Sequence, residues 1–321
     1  MKVYLTQSLE QSAVKLLEAV ATVEMNTSGT QLTREQFLDA IKDVDGLILG
    51  WHTDRMDKEA FDVAKNLKVV ARRGSGYDDI DIKEATSRNI PVILIPIHTP
   101  TIADLAFGLL IATARRIPRL DAFVREGKWT KGGTWVAHKF MGFDVNHKTI
   151  GIIGMGKIGL EIAKRALGFD MTVLYYDITR KRDVETALGI KYTQLDELLQ
   201  KSDFVSVHCA LNNNTRGLIG AREISLMKDT AVIIVVARGG IVDQEALYRA
   251  LSENKLGGAG LDVFEPEPIS SDDPLLSLEN VVFSPHIGVN VADMREKQSL
   301  AAAADVVRVL KGETPIYLYP L

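Results

Sequence analysis

Thr149-Ile150-Gly151-Ile152-Ile153-Gly154-Met155-Gly156-Lys157-Ile158-Gly159 is the stretch on which the reading of this chain turns. A short β-branched run meets three glycines spaced G-x-G-x-x-G, and an amphipathic segment follows. That order predicts a strand, a tight turn and a helix. Gly154 then makes the turn, Gly156 lets backbone approach a pyrophosphate, and Gly159 lets the helix pack closely on the strand. The diphosphate would rest on amide N–H groups at the helix start, where the dipole favours an anion. Asp177 closes the next predicted strand, about 20 residues on, placed to accept both hydroxyls of an adenosine ribose. Its charge opposes a 2′-phosphate and points to NAD, while the basic Arg180-Lys181-Arg182 keeps NADP open.

Outward from this turn, short β-rich runs alternate with helix-length amphipathic segments, the pattern of parallel sheets with crossover helices. After the turn the predicted strands are Thr172–Tyr176, Phe204–Val207, Ala231–Val236, Gly258–Leu261 and Val281–Phe283. Before it they are Val3–Leu5, Gly46–Leu49, Leu67–Ala71 and Pro91–Ile95. Thr33-Arg34-Glu35-Gln36 fits a capping box at a helix start. A long apolar run from Ile102 to about Arg125 predicts one buried helix, a spine between two α/β units. An alanine-rich last helix is expected from Asp293 to Leu310.

The chain has 321 residues, enough for about two domains and a sizeable core. Its net charge of −4 argues against nucleic acid or an anionic membrane as a bulk partner. One cysteine, Cys209, excludes an intramolecular disulfide and a four-cysteine zinc site, and no metal is expected. No apolar run approaches the roughly 20 residues that span a bilayer, and the first residues read as a strand rather than a signal peptide. A cytoplasmic protein is the expectation.

Three charged motifs stand at predicted strand ends. Val236-Ala237-Arg238-Gly239-Gly240 puts an arginine where a ligand crevice opens, able to hold a carboxylate with two hydrogen bonds. Gly260-Leu261-Asp262-Val263-Phe264-Glu265-Pro266-Glu267-Pro268 alternates acids with prolines, which stiffens the backbone. Ser284-Pro285-His286-Ile287-Gly288 places a histidine beside a proline and a glycine. An anion clamp, a carboxylate and an imidazole beside a dinucleotide suit hydride transfer, because a carbonyl exchanges a proton as the hydride moves.

With these motifs in order, the chain resembles the D-isomer-specific 2-hydroxyacid dehydrogenase family along essentially its whole length. The resemblance implies two doubly wound parallel-sheet α/β domains. One is a Rossmann dinucleotide-binding domain at 99–290, and the other a discontinuous, flavodoxin-like substrate domain at 1–98 and 291–321. It implies Arg238, Glu267 and His286 as the catalytic set: His286 the acid and base, Glu267 its tuning partner, Arg238 the carboxylate binder. The loop Gly74-Ser75-Gly76-Tyr77-Asp78 would grip the substrate carboxylate through backbone N–H groups. Arg295 would stand on the substrate side, and Trp135 would cap the site from a second subunit of a homodimer. Cofactor contacts would come from the 154–159 turn, Asp177, Cys209, Ala210 and Leu211 under the adenosine, Val236, Ala237, and Asp262 at the nicotinamide carboxamide. Val235, Ala210, Asp79, His98 and Ile102 depart from residues common in the family.

The leading expectation is therefore an NAD-linked reductase, with NADP left open, of a small 2-oxo acid such as glyoxylate, hydroxypyruvate or 2-ketogluconate. Phosphite oxidation by the same residues is an alternative, although Ser75 stands where such relatives carry lysine. An NAD(H)-sensing, corepressor-like binding protein is an alternative of another class.

Overall fold

The structure, a computed structural model, describes residues 1–51, 54–130 and 140–319. The chain forms two compact units, Met1–His98 with Val289–Leu321, and Thr99–Gly288.

The first unit holds β1 (Lys2–Leu5), β2 (Thr22–Met25), β3 (Gly46–Leu49), β4 (Val69–Arg72) and β5 (Val92–Leu94). All pairs are parallel, in the order β2-β1-β3-β4-β5. The last helix, Ala292–Leu310, packs on this sheet and on the Gln11–Glu18 helix. Ala302 and Ala303 are fully buried there, their small side chains allowing close approach. Thr33 and Gln36 form the expected capping box, each side chain accepting the other's backbone N–H at 3.3 and 2.9 Å. Beneath the end of β4 the buried Arg72 donates to Asp79 at 2.5 Å and to the Trp51 carbonyl at 2.7 Å. Burial still pushes the Asp79 carboxyl up to about 6.

The second unit holds β6 (Thr149–Ile153), β7 (Thr172–Tyr176), β8 (Lys191–Tyr192) and β9 (Phe204–Val207). It continues with β10 (Val232–Val235), β11 (Gly258–Leu261) and β12 (Val281–Phe283). The order is β12-β11-β10-β9-β6-β7-β8, again all parallel. Strands covered on both faces read as unbroken apolar runs, as the wholly buried Val232-Ile233-Ile234-Val235 does. The edge strands β2 and β8 escape the sequence pattern because neither is buried: each alternates exposed and half-buried residues.

The expected single helix from Ile102 to Arg125 is a pair, Thr99–Ala114 and Ile117–Arg125. Arg116 adopts a left-handed conformation between them, at φ 54°. Pro118, which has no N–H to donate back along a helix, fits instead as an opening residue of the second one. The first helix lies in the second unit, packed on β10 and β11. Among the described residues no helix is long and apolar enough to cross a membrane.

Candidate active site

In the second unit β6 lies between β7 and β9, the point where the winding of the sheet reverses and a crevice opens beyond the strand ends. The glycine turn leaves β6 there. Gly154 has φ 96°, and a Cβ on it would lie 2.6 Å from the Cys209 nitrogen and 2.8 Å from the His208 carbonyl carbon. A Cβ on Gly159 would lie 2.2 Å from the Gly154 carbonyl oxygen, so the helix Lys157–Leu167 can close on the turn only without one. At Gly156 a Cβ would meet nothing within 4 Å. That open side, beside N–H groups of Lys157 and Ile158 that a helix start leaves without intrahelical acceptors, fits a diphosphate. Asp177 anchors the turn, accepting the Met155 N–H at 2.8 Å and the Thr179 N–H at 2.9 Å. Arg180 is held in a two-bond pair with Glu185, at 2.8 and 2.7 Å.

The segment after β9 forms the wall facing Gly154. His208 is half-buried, its Nε2 2.7 Å from the Ser206 hydroxyl, and desolvation of the ring pushes it down to about 3, so it is neutral. Burial likewise pushes the Cys209 thiol up to about 11, leaving it an unreactive wall residue beside Ala210 and Leu211. The Thr215 hydroxyl donates to the Ala210 carbonyl at 2.6 Å and secures that loop.

Arg238, Glu267 and His286 follow β10, β11 and β12. His286 Nδ1 lies 2.7 Å from Glu267 Oε2; since an ionised carboxylate only accepts, Nδ1 donates. The other oxygen of Glu267 accepts the Phe264 N–H at 2.9 Å, so both are engaged. Burial alone would raise the Glu267 carboxyl, but the bond to His286, its charge, the Phe264 N–H and the Arg238 charge hold it below the usual range. Gly239 explains why these loops meet. A Cβ there would lie 1.9 Å from the Phe264 carbonyl oxygen, so only glycine lets the segment carrying Arg238 and flanked by Val236 and Ala237 pack against the acid–proline loop. Arg238 itself donates to the Ala237 carbonyl at 2.7 Å.

Asp262 is 1% exposed, and burial pushes its carboxyl up. Its carbonyl accepts the His286 N–H at 2.9 Å, and its carboxylate accepts the N–H groups of Ile287 at 3.0 Å and Gly288 at 3.1 Å. His286 has φ 53°, a left-handed conformation that a non-glycine residue adopts at a cost of about 1–3 kcal/mol. The three bonds to Asp262 compensate that cost and aim the imidazole.

In the first unit the loop Gly74-Ser75-Gly76 leaves β4. The Ser75 hydroxyl lies 3.1 Å from His98 Nε2, and Gln298 Nε2 lies 2.9 Å from His98 Nδ1. Arg295 pairs with Glu10 at 3.3 Å. Trp135 lies outside the described residues. Sequence reasoning missed His208 and Gln298. His208 carried no signal beyond its place just after an apolar strand, and Gln298 none beyond polarity in an alanine-rich helix.

Comparisons with known proteins identify the family. Residues 107–288 match the family model described as D-isomer specific 2-hydroxyacid dehydrogenase, NAD binding domain. A glyoxylate reductase of Pyrococcus horikoshii is 45% identical over 316 residues, 98% of this chain and 94% of that protein. One from Korarchaeum cryptofilum is 42% identical over 98% of this chain and 94% of its own length. The crystal structure of the TT0316 protein from Thermus thermophilus superposes with a TM-score of 0.91 at 36% identity, covering 100% of both chains. The chain belongs to the D-isomer specific 2-hydroxyacid dehydrogenase family and is an NAD(P)-dependent D-2-hydroxyacid dehydrogenase.

Proposed function

We propose that this dehydrogenase reduces glyoxylate or a 2-oxo acid of similar size, with His286 as the proton donor, Glu267 as its holder and Arg238 as the binder of the substrate carboxylate. The observation that carries this reading is the 2.7 Å bond from His286 Nδ1 to a Glu267 carboxylate fixed on its other side by the Phe264 N–H. With Nδ1 committed to that bond, Nε2 is the nitrogen that exchanges a proton. A reduced nicotinamide, when bound, would supply the hydride that the carbonyl carbon accepts. His286 Nε2 gives its proton to the carbonyl oxygen, and the carbon–oxygen double bond becomes a single bond. In the reverse direction neutral His286 takes the hydroxyl proton. Glu267, its carboxyl held below the usual range, accepts from Nδ1 and so keeps Nε2 turned to the substrate. The amides of the 74–76 loop and Arg295, both carried by the first unit, are proposed as further substrate-binding groups.

The proposed cofactor set is the 154–159 turn, Asp177, Cys209, Ala210, Leu211, Val236, Ala237 and Asp262. NAD is preferred over NADP because Arg180 is already paired with Glu185 and a carboxylate at Asp177 would oppose a 2′-phosphate. A second copy of the chain is the proposed partner. The helix Ile117–Arg125 has no buried residue and leaves Ile117, Leu120 and Val124 at 47%, 37% and 53% exposure, an apolar face a subunit would cover.

The test follows loss of reduced-nicotinamide absorbance with NADH and NADPH against glyoxylate and hydroxypyruvate, in wild type and His286→Asn. Turnover by wild type and a fall in kcat of about 10²–10⁴-fold in the variant, with NADH affinity retained, are expected. Wild-type protein that binds NADH but reduces no 2-oxo acid would overturn the reading.

A further inference from the structure

A chain of hydrogen bonds in the first unit ends at the substrate loop. Gln298, on the Ala292–Leu310 helix, is 1% exposed, and His98 is 4% exposed, whereas Ser75 faces solvent. The directions of the bonds follow from donor chemistry. The Gln298 amide nitrogen only donates, so His98 Nδ1 accepts and its proton resides on Nε2. His98 Nε2 therefore donates to the Ser75 oxygen, 3.1 Å away, and the Ser75 hydroxyl hydrogen is turned outward. The opposite amide orientation would reverse every step, but it would leave a buried Gln298 N–H without its partner at His98. The orientation observed leaves the Gln298 carbonyl oxygen without a partner among the described residues instead, the more tolerable of the two.

Two buried polar side chains joined in line are costly where apolar ones would fill the same space. Their arrangement does one thing that packing does not require: it sets the polarity of a single exposed hydroxyl. We propose that Ser75 is a specificity-determining hydrogen-bond donor to an acceptor oxygen of the substrate, and that His98 and Gln298 are the positioning residues that hold it as a donor. This rests on the reading of the 74–76 loop as substrate-binding. The acceptor is a carboxylate oxygen or the C3 hydroxyl of a substrate that has one, and two substrates separate these sources.

The experiment measures KM and kcat for glyoxylate and hydroxypyruvate in wild type, Ser75→Ala, Ser75→Thr, His98→Phe and the Ser75→Ala/His98→Phe double variant. Ser75→Ala is expected to raise KM about tenfold with kcat within about twofold, and Ser75→Thr, which keeps the hydroxyl, to restore it. A rise for both substrates identifies the carboxylate oxygen, and a rise for hydroxypyruvate alone identifies the C3 oxygen. His98→Phe is expected to raise KM about threefold only while Ser75 is present, the non-additivity of residues acting through one another. If His98→Phe fails to fold, Gln298→Met makes the same comparison. Unchanged KM in Ser75→Ala, or a His98 effect that persists without Ser75, would overturn the inference while the proposed function stands. Wild type inert toward every 2-oxo acid would overturn both.

Discussion

The glycine turns after β6 and β4 both leave the carboxyl end of a parallel strand, yet packing closes one and leaves the other open. At Gly154 and Gly159 a side chain would strike backbone atoms at 2.6 and 2.2 Å, so that turn has one shape and glycine is the residue that fits it. At Gly74 nothing lies within 4 Å of where a Cβ would be. The second turn is instead wired through side chains, with Ser75 tied to His98 and Gln298. A steric constraint of the first kind leaves a glycine spacing in the sequence. A constraint made by a partner 23 residues away, itself held by one 200 residues further along, leaves none.

Substitution at the two turns tests this contrast most strongly. Gly154→Ala is expected to cost about 3 kcal/mol, from overpacking against the 208–209 backbone and an unfavourable φ, while Gly74→Ala costs about 1 kcal/mol. Urea unfolding of both variants decides it, and equal costs would remove the distinction.

Acid titration separates the two units next. His208 beneath the first turn titrates only near 3 when folded, whereas the unfolded chain binds that proton near 6.5. Its stabilisation is therefore present above about 6.5 and lost as pH falls toward 3, about 2 kcal/mol by pH 5. Asp79 has the opposite sign: its folded value of about 6 lies above the unfolded one, so its contribution is lost as pH rises from about 4 to 6. Acidification from pH 7 to 5 should thus weaken amide protection around β9 and strengthen it around β4. His208→Gln should abolish the first change alone, as hydrogen exchange would show.

The smallest effect expected is at Gly156, where a Cβ would meet nothing within 4 Å and where the diphosphate is proposed to lie. Gly156→Ala should leave unfolding free energy within about 0.5 kcal/mol of wild type while weakening NADH binding about tenfold, roughly 1.4 kcal/mol. Fluorescence titration with NADH checks it. Unchanged affinity would mean that the diphosphate does not approach there.

Much of the site is legible in sequence because its chemistry is local. Arg238, Glu267 and His286 each sit within a short motif at a strand end, where parallel strands deliver side chains to one edge. What the motifs do not carry is how each group is held. Asp262 reads as a cofactor contact, yet it is also the brace of the left-handed turn at His286. The Arg238 loop meets the Glu267 loop because Gly239 packs on Phe264, a contact 25 residues apart. β2 and β8 are not legible in this way, because exposed edge strands lack the apolar run that marks buried ones.

By itself the sequence determined the α/β class, the dinucleotide turn and the identity of the charged residues at the strand ends. These depend on residue type and short-range spacing, which survive without coordinates. Tertiary structure decided which donors face which acceptors: the fixing of Glu267 on both oxygens, the neutrality of His208, and the direction of the Gln298–His98–Ser75 chain. Hydrogen-bond direction and burial are properties of neighbours in space, and those neighbours come from distant parts of the chain.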